Sequence, residues 1–134
     1  MGFSSFGGFI VPMIFIFLLL GSCRRVYVID GRYEIISRTV DSSLADSVLL
    51  IGKVVGALDN LSPRMHARIW TDELSKETYS DNSGTYSLRL SSGTYTINCK
   101  ENGGSDQFKE TIKALSLLPN ERVEINFYLG MTIE

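Results

Sequence analysis

Few residue types in this chain of 134 residues could carry catalytic chemistry, because it contains one histidine and two cysteines. A zinc site takes three or four protein ligands, and the common zinc-hydrolase motifs need two histidines. His66 is alone, with Arg64 and Arg68 as its nearest charged neighbours. We therefore predict no catalytic residue, no metal and no enzymatic activity. His66 itself is expected at the surface or at a strand edge.

A second group of polar side chains, Asp81-Asn82-Ser83-Gly84, resembles the start of a calcium-binding loop. An EF-hand loop would need further oxygen ligands and a distal bidentate glutamate, whereas strand-forming residues follow here at Thr85. An aspartate at the start of a turn accepts backbone N–H groups, and a glycine tolerates positive φ. We therefore predict a tight turn and expect no cofactor.

The charge of the chain bears on its partners. The formal net charge is −2, with 13 basic and 15 acidic residues, and both signs are interspersed. No basic stripe is present that could neutralise a phosphate backbone. We expect no nucleic-acid partner.

The N-terminal segment differs in composition from the rest of the chain. No charged residue precedes Arg24, and the run from Ile10 to Leu20 is almost entirely apolar. A membrane-spanning helix needs about 20 apolar residues, so this shorter run followed by small residues is typical of a secretory signal. A retained N-terminal anchor and a soluble chain with a buried start are the alternatives.

The end of this segment, Leu20-Gly21-Ser22-Cys23, resembles the lipobox of bacterial lipoproteins. The resemblance implies that residues 1–22 are removed and that Cys23 becomes an acylated N-terminus. It also implies attachment to a membrane of the cell envelope. The expected location is the outer membrane, with the protein facing either the periplasm or the cell surface. With Cys23 acylated, Cys99 would be the remaining thiol, so no intrachain disulfide is expected.

Residues 23–49 are predicted to form a tether. The β-rich runs Val26–Ile29 and Tyr33–Ile36 flank Asp30-Gly31, a combination that favours a β-hairpin. The serine-containing stretch 37–47 is predicted to be a linker. Within it, Asp46-Ser47-Val48 resembles the acceptor motif for O-glycosylation in Bacteroidetes, which makes Ser47 a candidate for modification.

From Leu50 onward, short segments with a period of two alternate with turn residues, which predicts an all-β antiparallel sandwich over residues 50–134. We predict seven strands, at 50–56, 66–71, 77–80, 85–91, 94–100, 108–114 and 121–129. Residues 109–118 also contain helix formers, so a short helical turn is an alternative there. The alternation predicts these inward-facing residues: Leu50, Val54, Ala67, Ile69, Tyr86, Leu88, Leu90, Tyr95, Ile97, Cys99, Val123, Ile125, Phe127 and Leu129.

Two aromatic residues are candidates for an interaction surface. Trp70 has the opposite parity to Ile69, so it is predicted to face outward, where it could stack on a sugar or a partner. Cover by the N-terminal hairpin is the alternative. Tyr79 lies nearby in the sequence, on a short strand predicted near a sheet edge.

The turns and strands together resemble a known family, the carboxypeptidase regulatory-like domain. The matching runs are Ile51-Gly52-Lys53-Val54, Ala67-Arg68-Ile69-Trp70, 78–88 and Ser92-Gly93-Thr94-Tyr95-Thr96-Ile97, with Gly-x-Tyr repeated in the last two. The resemblance covers about residues 50–129. It implies a seven-stranded, transthyretin-like Greek-key sandwich with a non-catalytic accessory or adhesion role.

Two classes of function stay open at this point. One is an interaction module that binds a protein or a glycan, and the other is a spacer that only contributes envelope structure. A transthyretin-like hydrolase is disfavoured, because such enzymes use several histidines and a Tyr-Arg-Gly-Ser C-terminus. This chain ends in Gly130-Met131-Thr132-Ile133-Glu134.

Overall fold

The computed structural model describes residues 25–73 and 75–134. This part of the chain forms β-strands and two short 3-10 turns, Ser42–Leu44 and Asp106–Phe108, without any α-helix. The predicted all-β class is therefore confirmed. The strands are β1 (Tyr27–Ile29), β2 (Arg32–Val40), β3 (Ser47–Gly56), β4 (Arg68–Thr71), β5 (Glu77–Tyr79), β6 (Thr85–Ser91), β7 (Gly93–Lys100), β8 (Glu110–Leu117), β9 (Glu121–Leu129) and β10 (Met131–Ile133).

The strands form two four-stranded sheets and a two-stranded ribbon. The first sheet has the order β2-β9-β3-β6, the second has the order β5-β4-β7-β8, and β1 pairs with β10 in the ribbon. Buried side chains of both four-stranded sheets belong to one hydrophobic core. This is the layering of a β-sandwich.

The period-two pattern determines which side chains enter that core. Along β6, exposed and buried residues alternate at every position from Thr85 to Ser91. Every residue predicted to face inward is buried, and Ile69, Ile97 and Phe127 are fully so. The predicted inward set is therefore confirmed.

The predicted number of strands is wrong, because the described residues contain ten strands rather than seven. The seven predicted segments correspond to β3 through β9. The additional strands β1, β2 and β10 lie outside those segments, and β2 is exposed at all its positions. Strands β1 and β2 overlap the β-rich runs Val26–Ile29 and Tyr33–Ile36 that the sequence assigned to a hairpin, so β10 is the additional strand that was not predicted.

The predicted hairpin around Asp30-Gly31 does not form. Strand β1 pairs with β10, with Tyr27 opposite Ile133, while β2 pairs with β9. A lone hairpin is marginal in water, whereas β9 offers β2 a nine-residue partner inside an existing sheet. Between β1 and β2, the chain passes close to the segment that joins β9 and β10. Gly31 allows this close approach, since a Cβ there would lie 2.9 Å from the amide nitrogen of Gly130.

The predicted linker 37–47 is also wrong, because its first residues belong to β2. A 3-10 turn follows, and Asp41 caps it by accepting a hydrogen bond of 3.0 Å from the amide of Ser43. Arg38 ties this region to the second sheet, since it donates to Glu121 and to the carbonyl oxygen of Ser116 in β8.

Two further expectations need correction. The sheets are not purely antiparallel, because β3 and β9 pair in parallel at the centre of the first sheet. The alternative of a helical turn within 109–118 is also wrong, because residues 110–117 form β8, which corresponds to the strand predicted at 108–114. Pairing with β7 outweighs their helix propensity there, and the register shift in that pair accompanies a φ of 54° at Ala114.

Candidate functional site

Trp70 and Tyr79 line one groove of about 300 Å³ on the outer face of the second sheet. The remaining walls come from Arg68 and Lys100 on the strands and from residues of the loop between β7 and β8. We call this feature the Trp70 groove. The structure thus brings together the two aromatic residues that the sequence indicated.

Strand register explains how these side chains meet. Arg68 of β4 lies opposite Tyr79 of β5 on one side and opposite Lys100 of β7 on the other. Opposed residues of paired strands point to the same face, so the three side chains form a row. Trp70 is two residues further along β4 and therefore shares that outward face.

Arg68 holds the indole of Trp70 in place. The Arg68 Nε donates a hydrogen bond of 2.6 Å to Oε2 of Glu77, and the guanidinium carbon lies 4.4 Å from the centroid of the Trp70 ring. Such a stack is a cation–π contact, and the ion pair fixes the guanidinium that forms it. Trp70 is consequently half-buried rather than fully exposed. Cover by the N-terminal hairpin is ruled out, because β1 and β2 pair with β10 and β9 instead.

The loop wall of the groove is also fixed by charge. Lys100 Nζ lies 2.8 Å from Oδ1 of Asp106, and this hydrogen bond lowers the pKa of Asp106. Lys109 adds a second positive charge near the same carboxylate. Ser105 caps the 3-10 turn that carries Asp106, because its Oγ accepts a hydrogen bond from the amide of Gln107.

A polar network lies beside Trp70 on the same face. Asn98 is opposite Trp70 in the β4–β7 pair and is 1% exposed. Its amide nitrogen donates to Asp72 at 2.8 Å, and its amide oxygen accepts from the Thr111 hydroxyl at 2.8 Å. Because each group has a partner, the network makes this end of the groove rigid.

No family model and no curated protein matches this chain.

The groove offers an aromatic face, hydrogen-bond donors and paired charges, but it does not contain an activated nucleophile with a base. It is suited to holding a ligand by stacking and hydrogen bonds. Within residues 25–73 and 75–134, no three side chains of His, Cys, Asp or Glu lie close enough to hold a metal ion.

His66 lies at the surface just before β4, as expected from the sequence. Its backbone has φ 56°, and its amide donates to the carbonyl oxygen of Ser80 at 2.9 Å. It is not a lining residue of the Trp70 groove. The position serves the backbone turn into β4.

The predicted turn at Asp81 is confirmed. Oδ1 of Asp81 accepts from the amides of Ser83 at 2.9 Å and Thr85 at 3.0 Å, and Gly84 has φ 80°. The Ser83 hydroxyl and these amides lower the pKa of Asp81. Asp81 Oδ1 and the Ser83 hydroxyl, two of the groups that suggested calcium, are thus engaged in the turn itself.

The remaining candidates differ in accessibility. Ser47 is half-buried at the start of β3, and its Oγ donates to the carbonyl oxygen of Leu44 at 2.5 Å, so glycosylation would have to release this hydroxyl. Cys99 is fully buried in the core, and burial raises the pKa of its thiol. Cys23 and the predicted signal segment 1–22 lie outside the described residues. No helix in the described part of the chain is long and apolar enough to cross a membrane.

Sequence reasoning missed the charged walls of the groove. Arg68 shares the parity of Trp70, and Lys100 has the opposite parity to Cys99, so both could have been assigned to the outer face. Asp106 lies in the loop between β7 and β8, and Lys109 directly precedes β8. A loop has no alternating sequence pattern that would assign its side chains to a face, so their placement needed the three-dimensional structure.

Proposed function

We propose that this protein is a non-enzymatic, lipid-anchored protein of the cell envelope whose β-domain binds a protein or glycan partner in the Trp70 groove. The observation that carries this proposal is the convergence of Trp70, Tyr79, Arg68 and Lys100 on one groove. Aromatic residues and arginine are enriched at binding hot spots, because they combine large contact area with directional polar groups.

The fold proposed for this domain is that of the carboxypeptidase regulatory-like family. The seven strands predicted from the sequence correspond to β3–β9, and they divide between two sheets around one core, which supports this proposal. The Gly-x-Tyr repeat also has a structural counterpart. Tyr86 and Tyr95 are both buried at strand starts, and each hydroxyl donates to a backbone carbonyl oxygen.

The proposed location depends on Cys23. Its lipobox-like sequence supports acylation and retention in the envelope, with the outer membrane facing the periplasm or the cell surface as the site. One acyl chain anchors only marginally, but each buried CH₂ adds about 0.8 kcal/mol, so the several chains of a lipoprotein give durable attachment.

The test is chemical crosslinking in the native envelope followed by capture of the protein. We expect a specific crosslinked partner that is lost in Trp70→Ala and reduced in Tyr79→Ala. The matched control is Tyr128→Ala. Tyr128 is also a half-buried aromatic on an outer sheet face, and Arg32 stacks on it at 4.0 Å from the ring centroid, but it lies on the first sheet.

The outcomes separate the two classes of function. Equal loss of the partner in Trp70→Ala and Tyr128→Ala at matched protein levels would place the interface elsewhere. Absence of any partner above background for the parent protein would support the structural spacer. A hydrolytic activity abolished by His66→Ala would contradict both.

A further inference from the structure

The ends of the described chain form a ribbon separate from the two main sheets. Strands β1 and β10 pair with each other alone, and we call this pair the terminal ribbon. Tyr27 lies opposite Ile133, and Ile29 lies opposite Met131, so these four side chains share one face. Val28 and Thr132 share the other face.

Five of the six paired residues of the terminal ribbon are apolar or aromatic, Thr132 is polar, and none is charged. Tyr27 is 54% exposed and Val28 is 51% exposed, with Val26 beside them at 54%. A two-stranded ribbon is marginally stable in water unless its apolar surface is covered. Contact with an apolar surface, or with the interface between a membrane and water, would therefore stabilise the ribbon.

The position of Cys23 indicates what that surface is. Four residues separate Cys23 from Tyr27 in the sequence, and an extended chain spans at most about 3.6 Å per residue, so the two lie within about 14 Å of each other. If Cys23 is acylated, its acyl chains hold the terminal ribbon at the lipid headgroups. Tyrosine prefers this interface, and Arg25, directly before Val26, is suited to anionic headgroups.

We propose that the terminal ribbon lies on the lipid surface in which the acyl chains of Cys23 are inserted, and so sets the orientation of the domain on the membrane. This inference rests on the acylation of Cys23 in the proposed function. It adds a second, non-covalent contact between the protein and the bilayer.

The orientation has a consequence for the Trp70 groove. A second cavity of about 220 Å³ is lined by Met131 and Thr132 of the ribbon together with Glu101 and Phe108 of the β7–β8 loop. The same loop forms a wall of the Trp70 groove. The groove therefore faces partners at the membrane-near end of the domain.

Val40, eight residues along β2 from Arg32, lies about 26 Å from the ribbon end of that strand.

The experiment uses the full acylated chain with one introduced cysteine, either Tyr27→Cys or Val40→Cys, carrying an environment-sensitive fluorophore. The parent chain should take no dye, because Cys99 is buried and Cys23 is blocked by acylation. The protein is reconstituted into vesicles of phosphatidylethanolamine and phosphatidylglycerol, with and without a lipid that carries a nitroxide quencher near its headgroup. Mass spectrometry of the same sample establishes the state of Cys23.

We expect the emission of the dye at position 27 to shift to shorter wavelength when the protein is on vesicles. We also expect the nitroxide lipid to reduce the intensity of that emission. The dye at position 40, a site that is 84% exposed in the protein, should show neither change. Equal quenching at the two positions on an acylated chain would overturn the orientation while leaving the lipid anchor intact.

Two other outcomes are distinguishable. A dye at position 27 that shifts in wavelength without quenching would mean that a second copy of the chain or another protein covers the ribbon, which also overturns the proposal. An unmodified Cys23, seen by mass spectrometry and by dye uptake in the parent chain, would contradict the anchor on which both proposals depend.

Discussion

The hydroxyl of Tyr86 donates a hydrogen bond of 2.6 Å to the carbonyl oxygen of Ile125, two strands away in the same sheet. The strand between them is β3, and the residue opposite Tyr86 on it is Gly52. A Cβ at Gly52 would overlap the Ile125 carbonyl group and lie 3.1 Å from the Tyr86 ring. Gly52 therefore makes room for the ring to cross β3 and reach β9.

Tyr86→Phe should reduce the free energy of unfolding by about 1 to 2 kcal/mol, because it leaves a buried carbonyl oxygen without its donor. Tyr86 is 2% exposed and packs 6.0 Å from Phe127, so Tyr86→Ala should cost about 3 to 5 kcal/mol. Chemical denaturation followed by circular dichroism gives both values. Unchanged midpoints for both variants would show that Tyr86 is not a core residue.

Gly52→Ala should destabilise the protein by about 3 kcal/mol, because a side chain there overlaps the backbone of β9. Gly103→Ala is the control. Gly103 has φ 73°, but a Cβ at this position would meet no atom within 4 Å, so only backbone strain of about 1 kcal/mol applies. Equal losses in the two variants, measured by denaturation, would mean that contact at Gly52 is unimportant.

The residues that sequence reasoning placed correctly are those that repeat with a period of two. Tyr86, Leu88 and Leu90 alternate with polar residues, and only one face of such a strand can be buried. The pairing of β1 and β2 could not be predicted in the same way. Asp30-Gly31 has the local signature of a hairpin, but the partners of these strands are at the other end of the chain, where no local pattern refers to them.

The candidate site was predictable to a similar extent. The parity of Trp70 predicted its outward orientation, and the structure places Tyr79 in the same groove. Loop residues such as Asp106 have no strand register to determine their position. Sequence alone therefore indicated the aromatic half of the groove and not its charged wall.

The ion pair of Arg38 and Glu121 should make stability depend on pH. The Arg38 guanidinium donates to both carboxylate oxygens, at 2.7 and 2.8 Å, and lowers the pKa of Glu121. A lowered pKa in the folded state stabilises the protein above the ordinary pKa of a glutamate, and this contribution is lost as the pH falls through the lowered value.

Arg38→Met should therefore lose about 1 to 2 kcal/mol at neutral pH, because Glu121 is nearly buried while Arg38 is partly exposed to solvent. The difference between the parent and Arg38→Met should shrink under acid conditions. Denaturation curves across the pH range measure it, with Glu121→Gln as the reciprocal variant. A difference that does not vary with pH would assign the effect to packing of the Arg38 stem.

Cys99 should be unreactive in the folded protein. Its side chain is fully buried, and burial raises the pKa of the thiol, so the reactive thiolate is suppressed. A thiol reagent should therefore modify Cys99 only after denaturant is added. Rapid modification under native conditions, followed spectroscopically, would contradict its place in the core.

His66→Gly should raise the free energy of unfolding by up to about 1 kcal/mol, because φ 56° strains a residue that has a Cβ. His66→Ala, which keeps the Cβ, is the control and should change stability little. Partner capture through the Trp70 groove should be the same in both variants. Loss of capture in His66→Gly would give this histidine a role in binding that its position does not suggest.

The pairing of the first strands with the last ones determines when folding can finish. Strand β9 joins β2 and β3 in the first sheet, and Leu49 of β3 contacts Arg122 of β9 across most of the domain's sequence. Contacts between such distant positions require closure of a long loop before they contribute free energy, which slows folding. One of the two central strands of the first sheet, β9, is missing until residues 121–129 are available. The domain therefore stays incompletely folded until residues 121–129 have emerged from the ribosome or the translocation channel.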